Sequence, residues 1–191
     1  MYIKPYQENN PIDFIEEYVD SSTGESIVHT SHLKISQSSI SDTIPIFPNN
    51  IPIDFLCKSD DKGKELFIVY SPFIPKGRPM EMTFVVDNKF SILLSSLQPT
   101  NNENGKHYHN EKLSFPLSYD YFISFCNAKS LKYQINENNN SKMEDGENLI
   151  PLCKLLFNAV FDKGRFPETA DYLQEKQKEL FTIINKLNNN N

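Results

Sequence analysis

Apolar and polar positions alternate along much of this chain. Between Lys64 and Ser96 it reads KELFIVY, SPFIPKGRP, MEMTFVV, DN and KFSILLS, with Met80, Met82, Phe84 and Val86, then Phe90, Ile92 and Leu94, on every second position. Alternation of this kind turns one side of a strand toward a core. The stretch therefore predicts three consecutive strands, a central meander. Asp87 and Asn88 separate the last two, and both tolerate positive φ, as a two-residue hairpin turn requires. Outside its ends and loops the stretch carries only Glu65 and Glu81 as charged groups. Its pattern describes a scaffold.

The flanking segments extend the same architecture. FIEEYV and SIVHTSHLKI surround the turn formers Asp20 to Gly24 and predict a hairpin over residues 13–35, with Gly24 where φ above zero falls. Residues 36–50 are rich in Ser, Pro and Asn and read as a loop. IPIDFLCK is a further strand, and Ser59 to Gly63 form a turn into the meander. LSFPL leads into SYDYFISFCNA, where Tyr119, Phe122, Ile123 and Cys126 follow i, i+3, i+4, i+7 spacing. That predicts a short helix with Ser118 as its N-cap and Asn127 near its end. LKYQI then alternates as a strand, and residues 136–148 read as loop.

From Leu149 the period changes. Pro151 suits a helix start, and Leu152, Leu155, Leu156, Ala159 and Val160 share one face. Pro167 opens a second helix, with Glu168 and Asp171 in its first turn, where negative charge complements the dipole. Leu173, Leu180, Ile184 and Leu187 line one side of it. The fold expected is α+β: a mainly antiparallel sheet or sandwich of about six to eight strands, one short internal helix and a C-terminal helical pair. Residues 1–11 read as an extended arm, 12–148 as a β-rich domain, 149–188 as the helical pair packed on it, and 189–191 as a disordered tail.

Composition narrows the function classes. The chain has 191 residues and a formal net charge of -6, with no cluster of basic residues beyond Lys62-Gly63-Lys64. Nucleic-acid binding normally needs a basic face, so no nucleic-acid partner is expected. No run approaches the ~18 apolar residues of a membrane span, and the N-terminal residues lack the apolar core of a secretory signal. Cys57, Cys126 and Cys153 are far apart, form no CxxC pair and sit among apolar neighbours. They read as free thiols in a core, which fits a reducing, intracellular (cytoplasmic) setting.

Candidate chemistry is sparse. His107 and His109 alternate on a polar segment, so on an extended chain they point the same way and can share a metal ion, with Glu103 or Glu111 adding oxygen. Two exposed loop histidines are the commoner meaning, because metal sites need three or four convergent ligands. The sequence contains no GxSxG elbow, P-loop or GxGxxG, and a Cys126–His107 dyad would need a thiol from the apolar face of a helix. No cofactor is expected. In SPFIPKGRPM, three prolines stiffen a segment that presents Phe73, Ile74, Lys76 and Arg78, a combination suited to protein binding. The function expected is a non-catalytic interaction or structural protein with a protein partner or self-assembly. The alternative is a metal-assisted hydrolase centred on residues 97–111.

Overall fold

The computed structural model describes residues 15–30, 53–70, 81–97, 113–136 and 142–172, together with helical positions 174, 175, 178 and 182. In chain order the elements are β1 (Ile15–Val19), β2 (Ser26–Thr30), β3 (Ile53–Asp60), β4 (Gly63–Tyr70), β5 (Glu81–Val86), β6 (Phe90–Ser95), β7 (Leu113–Leu117), α1 (Tyr119–Cys126), β8 (Leu131–Asn136), β9 (Glu144–Asp145) and α2 (Leu149–Val160). Helical backbone resumes at residues 169–172. The fold is α+β. Its strands form two antiparallel sheets, ordered β1-β2-β3-β4-β7 and β6-β5-β8-β9.

Local turn chemistry builds three hairpins. In the first, the Asp20 carboxylate accepts the Ser22 N–H at 2.8 Å, and Gly24 takes φ of 75°. In the second, Asp60 Oδ1 accepts the N–H groups of Lys62 (2.8 Å) and Gly63 (3.0 Å), and Gly63 adopts φ of 148°, a region open to a residue without Cβ. Asp60 pairs with Gly63, so this turn is tighter than the Ser59 to Gly63 stretch suggested. In the third, Asp87 and Asn88 have φ of 51° and 53°, as expected. Val86, however, pairs with Phe90, which makes Lys89 a third loop residue. That extra residue decides which side of β6 is buried, since a one-residue slip exchanges the two faces of a strand. Ile92 and Leu94 face Phe84 and Met82 in the core, and Leu93 faces outward.

The central meander does not form. β4 lies between β3 and β7 in one sheet, whereas β5 and β6 belong to the other. The chain changes sheet between Tyr70 and Glu81. β4 has the composition of an inner strand: Leu66, Phe67, Ile68, Val69 and Tyr70 are all buried, so both of its faces are covered. Its second neighbour is LSFPL, a strand that the pattern alone hid behind Pro116. The Ser114 carbonyl points away from β4 to accept the Leu97 N–H at 2.8 Å. Pro116, two residues on, therefore turns its hydrogen-free nitrogen to the same outer edge and costs the ladder nothing.

The two sheets approach each other at β6 and β7, and α1 packs against both of them. α1 acts as a wedge. Ser118 caps it by accepting the Tyr121 N–H at 3.2 Å, and Asn127 ends it. Phe122 reaches Phe55 of one sheet, with ring centroids 6.4 Å apart, and Phe125 reaches Phe84 of the other at 4.9 Å. α2 lies over β1, β2 and β3. Leu149, Ile150, Cys153, Leu155, Leu156 and Phe157 are buried, and Leu152 and Val160 pack partly against the core, whereas Ala159 is exposed, so the buried surface is wider than the face read from the sequence and leaves out Ala159. The segment LIPLCKLLFNAV carries apolar residues nearly all round, so periodicity alone does not bound its buried face. The expected second helix face (Leu173, Leu180, Ile184 and Leu187), the N-terminal arm and the tail lie outside the described residues.

Candidate functional site

Phe73, Ile74, Lys76, Arg78, His107 and His109 all lie outside the described residues. Their flanks are informative. Tyr70 ends β4 in one sheet and Glu81 begins β5 in the other, so the proline-rich segment joins the two sheets. Leu97 and Ser114 are tied by a 2.8 Å backbone bond, so the two ends of the histidine-bearing insertion meet at one point.

That point borders an open depression of about 560 Å³, where β7 turns into α1 and α2 ends. Its lining includes Phe67, Leu97, Pro116, Tyr119 and Phe161, with Lys64 and Glu65 at the edge of β4. The local folding explains why aromatic surface remains open here. Ser118 fixes the start of α1, so Phe122, Phe125 and Cys126 enter the core and Tyr119, a turn earlier, stays 49% exposed. Tyr119 meets Phe161 edge-on at 5.3 Å. Lys64 donates from Nζ to the Val160 carbonyl at 2.6 Å and sits 4.8 Å from the centre of the Phe161 ring. A cation at the last turn satisfies a helix C-terminus and complements its dipole, and α2 has no basic residue of its own there. Lys64 is therefore occupied in holding the α2 end. The depression is left mainly apolar and aromatic, and sequence reasoning missed it because its parts come from four separate segments.

Several ionisable groups elsewhere are engaged in structure. Cys126 and Cys153 are fully buried and lie side by side where α1 meets α2; burial, with the neighbouring thiol, pushes Cys153 well up. Burial likewise raises Cys57. Burial, with help from the Glu144 carboxylate, pushes the Tyr133 hydroxyl up to about 12. These are poor nucleophiles at neutral pH. His29 is oriented on both sides: Nε2 lies 3.2 Å from Glu16 Oε2, and Nδ1 lies 3.0 Å from the Thr30 carbonyl oxygen. Among the described residues, His, Cys, Asp and Glu form no group of three able to hold a metal ion, and every buried side-chain nitrogen and oxygen has a partner. No helix among them is long and apolar enough to cross a membrane.

No protein-family model, curated protein or solved structure is found to match this chain.

Proposed function

We propose that this chain is a non-catalytic interaction protein, a scaffold that docks an apolar segment of another protein in the depression beside β7. The observation that carries this reading is the depression lined by Tyr119, Phe161 and Leu97, with Leu97 51% and Tyr119 49% exposed. Exposed aromatic side chains at the mouth of a preformed hollow are the usual anchors of protein interfaces. The partner chemistry that fits is a short segment with one or two Leu, Met or Phe anchors, since Lys64 is already paired with the Val160 carbonyl. Affinity capture from the native host tests it with three forms of the chain: wild type, Tyr119→Lys, and Glu81→Lys at an exposed position on β5. A protein retained by wild type and Glu81→Lys, and lost by Tyr119→Lys, supports the reading. Equal retention by all three removes the depression as the site.

A further inference from the structure

α1 and α2 pack antiparallel, and their contacts form a ladder of three rungs. Tyr119, at the start of α1, meets Phe161, the C-cap of α2, with ring centroids 5.3 Å apart. One turn on, Phe122 stacks on Phe157 at 6.3 Å. A further turn along α1 and back along α2 brings Cys126 and Cys153 together, because residues three or four apart share a helix face. Phe125, the other candidate on α1, is turned away to Phe84 in the four-stranded sheet. Both thiols are fully buried and unlinked, and the Cys126 thiol is among the groups that raise Cys153. This rung is made of small side chains, so here the helices can approach most closely. Axes about 8–10 Å apart leave directly facing Cα atoms roughly 3.5–5.5 Å apart, which overlaps the span of a disulfide, about 4.4–6.8 Å.

We infer that Cys126 and Cys153 are a reserve disulfide, which hydrogen peroxide closes to staple α1 to α2. The chemistry balances within the pair and this one oxidant. The first sulfur attacks the peroxide, the O–O bond breaks, and a sulfenic acid and one water form. The second sulfur then attacks the sulfenic sulfur, which makes the S–S bond and releases a second water. The two thiols together give up two electrons and two protons. Burial makes the first step slow, so the pair stays reduced until the helices part. The second step is fast, because repacking sets the partner sulfur beside the sulfenic acid. Cys57 has no place on this ladder. It lies on β3, with Sγ 3.7 Å from the Lys58 carbonyl oxygen and 3.8 Å from Ser59 Oγ. The staple joins the two helices that bring Tyr119 to Phe161, but it requires no partner, so it stands or falls apart from the docking reading.

The test incubates the full chain with hydrogen peroxide until hydrogen exchange shows that every amide of α1 has opened, then blocks the remaining thiols under denaturing conditions. Peptide mapping without reductant is expected to find Cys126 joined to Cys153, with the loss of two hydrogens, and Cys57 as the single blocked thiol. The stapled chain melts at a higher temperature than the reduced one, since a cross-link that fits the native geometry restricts the unfolded chain. Dithiothreitol reverses that shift, and Cys153→Ala forms no internal link. Four results would each overturn the inference: three blocked thiols, a link that includes Cys57, sulfinic acid at Cys126 or Cys153 in place of a link, or a link between Cys126 and Cys153 that lowers the melting temperature.

Discussion

Asn158, near the end of α2, is the clearest place to test how the chain after α2 is held. Its Nδ2 donates to the Phe166 carbonyl at 2.9 Å and to Thr169 Oγ1 at 3.1 Å, and its Oδ1 accepts the Phe166 N–H at 3.1 Å. Phe166 and Thr169 are each 7% exposed, and the Phe166 ring meets Phe157 edge-on at 5.3 Å. Asn158→Ala does not orphan all of these groups. The Phe166 carbonyl keeps the Thr169 hydroxyl at 2.8 Å, and that hydroxyl keeps the carbonyl. The Phe166 N–H loses the side chain that accepts it, in a buried residue. The cost is therefore that of one unsatisfied donor, about 1–3 kcal/mol, and not the sum of three bonds. For a chain of this size that lowers Tm by roughly 2–4 °C per kcal/mol. Thr169→Val is the companion variant. It removes a hydroxyl but leaves Asn158 bound to both Phe166 backbone groups, so its cost is about 0.5–1.5 kcal/mol. Urea unfolding of the three chains gives the order, provided the midpoint shifts while the slope is unchanged. Exchange of the Phe166 amide should accelerate in Asn158→Ala alone. An Asn158→Ala chain within about 0.5 kcal/mol of wild type, the range of an ordinary surface change, would refute the reasoning.

Three further outcomes are expected. Asp87 Oδ1 accepts the N–H groups of Ser130 and Lys129 at 2.9 and 2.7 Å, and these bonds hold its carboxyl below the ordinary value of 3.8. A lowered folded pKa contributes stability that is present above 3.8 and is lost as pH falls through the folded value. Melting against pH should therefore show an acid limb that Asp87→Asn, which keeps an acceptor and the turn, flattens; an identical limb in both proteins would exclude Asp87 as its source. Because Leu97 and Ser114 already join the ends of the insertion, replacing Asn101 to Asn110 with a short Gly-Ser linker should leave the melting temperature nearly unchanged, as loop-closure entropy varies slowly with length; a large drop would mean that the insertion packs or holds an ion. If the proline-rich segment contacts a partner, Phe73→Ala and Arg78→Ala should each weaken binding by about 2 kcal/mol, roughly thirtyfold, without lowering Tm; partner retention by both would remove that segment from the interface.

Local chemistry determined local structure in this chain. Alternation placed strands at β3, β5, β6 and β8, the pair Asp87-Asn88 took positive φ, Gly24 closed the first hairpin, and Ser118 capped α1. Each of these depends on residues within a few positions of one another, where sterics and short hydrogen bonds need no long-range contact to favour one geometry.

What lay beyond reach was the choice of partner. A strand pattern says which side is buried but not beside which strand it lies, so β4 looked like the neighbour of β5 and instead sits between β3 and β7. The alternation assigned LSFPL no element, and the outward direction of the Pro116 nitrogen at the β7 edge is what makes it compatible with a strand. The face read on α2 contained the buried Leu155 and Leu156 but not Leu149, Ile150, Cys153 and Phe157, whose burial depends on the space beside α1 and β1 to β3. The contacts that join distant segments were likewise invisible: Lys64 on the end of α2, Asp87 on the loop before β8, and Tyr119 against Phe161 over the open depression. Side chains far apart in sequence become neighbours only after two sheets and two helices have been packed at once. Their pairing is decided by the volume and polarity of that common interior, a quantity no local window contains.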